Sequence, residues 1–220
     1  MTEADIIEKT RIYAEETLKS DTTGHDWWHV YRVWKLSLQL AKDEKGANLF
    51  IVQLGALLHD IADWKFTGGD LEVGPRKVKE WLDGLGVDPD VTEQVVYIVR
   101  HISFRGGTNT HKMQSLEGRL VQDADRLDAI GAIGVARVFT FGGAMGREMY
   151  DPNHKPHDIK TFEDYKNQVK DNTSVNHFYE KLLLLKDRMN TDAGRRFAQE
   201  RHDYMERFLD EFYAEWEGKR

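Results

Sequence analysis

Leu49-Phe50-Ile51-Val52-Gln53-Leu54-Gly55-Ala56-Leu57-Leu58-His59-Asp60 is the stretch that decides how this chain folds. Its first ten residues are apolar on every face of a helix, with no alternation of the kind a half-buried strand shows. Such a helix belongs inside a bundle, packed by neighbours all round. It ends abruptly on two ionisable residues. A carboxylate at the end of a core helix is costly unless it is paired, hydrogen-bonded or bound to a cation.

Outward from this segment the pattern stays helical. Thr2 with Asp5 three residues on reads as a capping box, followed by Ile6, Ile7, Thr10 and Ala14 at helical spacing. A second helix is expected from about His25 to Asp43, with Val30, Val33, Trp34, Leu38, Leu40 and Ala41 inward. Trp64 to Gly69 reads as a loop, and Pro75 suits the first turn of a helix that ends near Gly84-Leu85-Gly86. Asp88-Pro89 supplies an N-cap and first turn for a helix reaching Ile102, and Phe104 to Gln114, with Gly106-Gly107, reads as a loop. Helix then resumes from Leu116 to about Phe141, broken or loosened at Gly131 and Gly134. Gly142 to Lys160 is a polar excursion, and Thr161 with Asp164 forms a further capping signal. The last helix carries Phe197, Met205, Phe208, Phe212 and Trp216 on one stripe, a face for packing within the bundle or for a homodimer. The fold class is all-α, one domain over 1–220, with a motif core at about 25–140 and C-terminal helices over 161–218 packing on it.

Composition sets limits on function. A net charge of −7 argues against a nucleic-acid polymer as partner, because phosphate backbones recruit clustered Lys and Arg. It leaves room for a small phosphorylated substrate, since a bound cation reverses the local potential. With no cysteine there is no disulfide, iron–sulfur cluster or thiol nucleophile, which suits a reducing compartment. Met1-Thr2-Glu3-Ala4-Asp5 lacks the basic-then-apolar layout of a signal peptide, and no apolar run approaches the ~20 residues of a membrane span. A cytoplasmic protein without a membrane partner is the expectation.

Four polar residues stand out from their core-like surroundings: His29, His59, Asp60 and Asp125. Each has a simpler explanation by itself. His25 and His29, one turn apart beside Trp27-Trp28, could be satisfied core or interface histidines. Asp60 could bond backbone amides at a helix end. Asp125 could pair with Arg119, Arg126 or Arg137, and it shares a face with Asp128 rather than with Asp123. Taken jointly, two histidines and two carboxylates from separate segments are better explained by a metal site.

The order His29 … His59-Asp60 … Asp125 resembles the HD-domain superfamily of metal-dependent phosphohydrolases. The contexts His29-Val30-Tyr31-Arg32-Val33, Leu57-Leu58-His59-Asp60-Ile61 and Ala124-Asp125-Arg126-Leu127-Asp128-Ala129 carry that resemblance. Gly131-Ala132-Ile133-Gly134, Val99-Arg100-His101-Ile102-Ser103-Phe104 and His177-Phe178-Tyr179-Glu180-Lys181-Leu182 extend it toward small bacterial HD hydrolases, over nearly the whole chain. It implies a helical bundle in which His29, His59, Asp60 and Asp125 hold one divalent cation.

Mixed imidazole and carboxylate ligands suit Mn, named first here, or Fe, Ni or Zn, and Mg less naturally. Beside such an ion Asp60, Asp63 or Asp128 would orient the attacking water. Arg32, one turn from His29, leads the candidates for binding the phosphoryl group, with His101, Lys65, Lys77 and Arg126 behind it. The substrate class implied is a small phosphorylated metabolite, with a nucleotide first. Two other readings stay open: a two-metal phosphodiesterase or oxygenase that adds His101 and His111, and a non-catalytic nucleotide-binding regulatory module.

Overall fold

The computed structural model describes residues 1–19, 26–62, 70–103, 111–159, 161 and 172–220. Among these the chain is all-α: α1 (Glu3–Leu18), α2 (Trp27–Ala41), α3 (Leu49–Leu58), α4 (Val73–Gly84), α5 (Pro89–His101), α6 (Leu116–Asp128), α7 (Gly131–Ala144), α8 (Asn176–Glu180) and α9 (Asp192–Trp216). Two short 3-10 turns, Leu182–Leu184 and Lys186–Arg188, lie between α8 and α9. No single helix among the described residues is long and apolar enough to cross a membrane.

The chain divides into two compact units, Met1–Phe104 with Thr110–Ala124, and Arg105–Asn109 with Asp125–Arg220. The division falls between Ala124 and Asp125 of α6.

In the first unit α3 is the centre. Its N-terminus is fixed by Asn48, whose side chain accepts from Phe50 N (3.0 Å) and Ile51 N. Asn48 N in turn donates to Glu117 at the start of α6. Val52, Leu54, Ala56, Leu57 and Leu58 are completely buried, with α1, α2 and α5 packed against α3. A Cβ on Gly55 would meet Ile98 Cδ1 at 3.3 Å and Val121 Cγ2 at 3.5 Å, so the absent side chain lets α5 and α6 come close. On α1 the capping box of Thr2 and Asp5 forms as its sequence predicts. Its inward Thr10 accepts a hydrogen bond from Trp81 Nε1 of α4 (3.0 Å), and Tyr13 stacks on the same indole (4.0 Å), which explains a polar residue on an apolar face.

The second unit has α9 packed on α7, with Ala198, Met205 and Leu209 buried. Phe139, Phe178 and Phe208 form an aromatic cluster within it.

Several boundaries differ from the sequence reading. Helix α2 starts at Trp27, because Asp26 is its N-cap. Trp34, Leu38 and Ala41 are only half-buried there, while Ser37 is buried and satisfied by Val33 O. Helix α7 runs on to Ala144, past the expected end at Phe141. Trp216 of the terminal stripe is exposed. His25, the loop from Trp64 to Gly69, Phe104 to Thr110 and the capping signal at 161–164 beyond Thr161 lie outside the described residues.

Candidate metal centre

His29 owes its place to the start of α2. The Asp26 carboxylate accepts from His29 N (3.0 Å) and sets the first turn. Completely buried Val30 and Val33 anchor that helix inward, carrying the imidazole into the interior. His59 is the C-cap of α3, held by the buried run before it. Its Nδ1 lies 2.8 Å from Ala56 O. A carbonyl only accepts, so Nδ1 carries the proton and Nε2 presents its lone pair. Fixing one ring nitrogen on a backbone carbonyl orients the other as a ligand.

That Nε2 faces His29 Nε2 at 3.2 Å, with the two rings edge-on. Asp60 Oδ2 lies 3.8 Å from the same His29 nitrogen. From α6 comes Asp125, half-buried: ligand atoms of His29, His59 and Asp125 all lie within 4.8 Å of one another. Two nitrogens bound to one ion at about 2.1 Å and at right angles stand about 3 Å apart, which is the spacing of the two Nε2 atoms. The donor set therefore fits a divalent cation: two imidazoles and a carboxylate, with a second carboxylate adjoining.

The other sequence candidates are distributed as follows. Arg32 is half-buried on α2. His101, the last residue of α5, stacks on His111 (3.9 Å, 23° between planes) and leans on Tyr97. The stacked rings hold their in-plane lone pairs in two nearly parallel, offset planes, a poor arrangement for sharing one ion, and Tyr97 OH bonds His111 Nε2 at 2.8 Å. Lys77 is exposed on α4. Arg126 Nη1 donates to Arg188 O. Asp128 is buried and bonded to Arg137 Nη1 at 2.9 Å, so Arg137, a candidate partner for Asp125 from sequence, pairs one turn further on. Asp63 and Lys65 lie outside the described residues.

Some contributors carry little signal in the sequence. Gln122, inside an apolar run, donates to His101 O and Ile102 O and ties off the end of α5. Arg201, far along α9, donates to Leu127 O. His157, one of two histidines in a polar loop, bonds the buried Glu180 carboxylate through both its backbone N (2.6 Å) and Nδ1 (3.0 Å), and Asn172 donates to the same carboxylate.

This chain belongs to the HD superfamily. The HD domain family matches residues 27–130, a span that includes His29, His59, Asp60 and Asp125. The Bacillus subtilis protein YpgQ is 38% identical over 210 residues, covering 95% of this chain and 93% of its own. A crystal structure from Lactobacillus plantarum has a TM-score of 0.85 at 39% identity and covers 99% of both chains. An HD-superfamily hydrolase from Bacillus thuringiensis has a TM-score of 0.75 at 44% identity, over 98% of this chain and 99% of its own. YpgQ has also been crystallised in complex with ADP; that structure has a TM-score of 0.71 and covers 95% of this chain and 97% of its own.

Proposed function

We propose that this chain is a divalent-metal-dependent phosphohydrolase acting on a small phosphorylated metabolite, a nucleotide first, with manganese the first choice of ion. The observation that carries the reading is the convergence of His29, His59 and Asp125 donor atoms within 4.8 Å in a member of the HD superfamily. The ADP complex of YpgQ supports a nucleotide as the substrate class. The full set His29, His59, Asp60 and Asp125 favours an enzyme over a regulatory module, because a degenerate module is free to lose ligands.

A divalent cation held there would supply an acidified water at neutral pH and Lewis-acid polarisation of a phosphoryl oxygen. The chain supplies the rest. His59 holds its lone pair in place through Ala56 O. Asp60 brings a carboxylate oxygen to 3.8 Å from His29 Nε2, where it can complete the ligand set and accept the proton of the attacking water. Hydrolysis would form a bond from a water oxygen to phosphorus and break the bond from phosphorus to the leaving oxygen. Arg32, one turn from His29, is the leading cation for the charge that develops on the phosphoryl oxygens. His101 stands behind it. Lys77, exposed on α4, and Arg126, bonded to Arg188 O, rank lower.

The test is release of phosphate or pyrophosphate from a panel of nucleoside mono-, di- and triphosphates with Mn²⁺, comparing the native chain with Asp60→Ala. Metal-dependent turnover of a nucleotide, abolished by the substitution, is the expected result. Absence of metal-dependent turnover across the panel would favour the binding module.

A further inference from the structure

Asp125 is the one member of the centre contributed by α6, and it sits a single turn before that helix ends. Beyond it the chain bends by 67° into α7. A ligand so close to a helix end is held only as well as the last turn is held, since the final carbonyls of a helix have no partner within it. Each of the three residues after Asp125 is tied to a different segment. Arg126 Nη1 donates to Arg188 O in the second 3-10 turn. Leu127 O accepts from Arg201 Nη1 of α9, as well as from Ile130 N. Asp128 pairs with Arg137 of α7 at 2.9 Å, its side chain only 4% exposed.

Arg201 has features beyond those of a surface tether. Its aliphatic stem lies against Gly131, where a Cβ would come within 2.9 Å of Arg201 Cγ. Gly131 also has φ +77°, so one glycine provides both the turn after α6 and the space for this side chain. Burial pushes the guanidinium below its ordinary pKa, with Asp128 acting in the opposite sense. An arginine keeps its charge under such burial and offers a planar fork of donors, which a lysine does not.

We propose that Arg201 is a positioning residue for the metal centre: by capping Leu127 O beside the Asp128–Arg137 pair, it fixes the last turn of α6 and hence the carboxylate of Asp125. In this arrangement Asp128 belongs to the support of the turn. The inference rests on the reading of the centre as a metal site. Residues supporting a ligand in this way matter to affinity, because a displaced ligand atom weakens the bond it makes.

The experiment is Mn²⁺ titration calorimetry of the metal-stripped full chain, with circular dichroism to confirm folding. Arg201→Met is expected to weaken Mn²⁺ binding by about 10- to 100-fold. Arg201→Lys recovers part of the loss and carries the test if the methionine variant fails to fold. Arg195→Met is the control: it removes an arginine from the same helix, one bonded to Met189 O, Asn190 O and Asp192, and should bind Mn²⁺ as the native chain does. Native affinity in both Arg201 variants, with binding lost in Asp125→Asn, would overturn the positioning role and leave the metal site standing. A native chain that takes up no Mn²⁺ would overturn the site and this role together.

Discussion

Gly134→Ala should destabilise the protein, although an alanine is normally the better residue inside a helix. Gly134 lies in the first turn and a half of α7, just after the bend. A Cβ there would stand 2.3 Å from Ala129 O and 2.6 Å from Ala129 C. Both atoms are backbone, so no rotamer change relieves the overlap and α7 must move away from the end of α6. An overpacking cost at the top of the usual range, about 3 kcal/mol, less about 1 kcal/mol of helix propensity, leaves a net loss of roughly 2 kcal/mol. Gly143, near the other end of the same helix, has nothing within 4 Å of its Cβ position. Gly143→Ala should therefore gain up to about 1 kcal/mol. The two variants differ by roughly 3 kcal/mol, which at about 2–4 °C per kcal/mol separates their melting temperatures by roughly 6–12 °C. Thermal and urea denaturation followed by circular dichroism measure this. Melting of Gly134→Ala at or above Gly143→Ala would refute the account of the bend.

Further outcomes follow from other parts of the structure. Leu57→Ala, at a completely buried position in α3, should cost about 2–5 kcal/mol in urea unfolding; a cost under about 1 kcal/mol would mean that α3 is not the centre of the core. Glu72 at the start of α4 bonds Arg100 at 3.0 Å, and this contact holds its carboxyl below the ordinary glutamate value. A carboxyl depressed on folding contributes stability above its unfolded pKa and loses it as the pH falls through the folded value. Glu72→Gln should accordingly lower the melting temperature slightly at pH 7, and the gap should close only as the pH falls through the depressed folded value, where the native side chain is itself protonated. A gap that stays constant with pH would contradict the pairing.

Much of this molecule was legible from local chemistry. The run Leu49 to Leu58, apolar on all sides, marked a central helix, and the caps at Thr2 and Asp88 have the side-chain bonds their sequences imply. His59 and His29 were visible because imidazoles stood next to residues that had to be buried. The less legible features depend on partners far away in sequence. Nothing around Arg201 marks it as a cap for Leu127, 74 residues earlier. By helical spacing Asp128 shares a face with Asp125, which makes it a candidate for orienting water. Its bond to Arg137 depends on the bend between α6 and α7, and periodicity does not describe a bend. Pattern alone starts α2 at about His25, whereas the Asp26 cap starts it at Trp27.

In the proposed function one divalent cation, held by His29, His59, Asp60 and Asp125, makes this HD-superfamily chain a phosphohydrolase. The most direct test is the rate of phosphate or pyrophosphate release from a turned-over nucleotide as Mn²⁺ is titrated into the metal-stripped chain, native against Asp125→Asn. Turnover should be absent without metal, should saturate at a single ion per chain, and should be lost in the variant, whose amide keeps the shape of the carboxylate without its charge. Turnover by the metal-stripped protein, or undiminished turnover in Asp125→Asn, would contradict the proposed function.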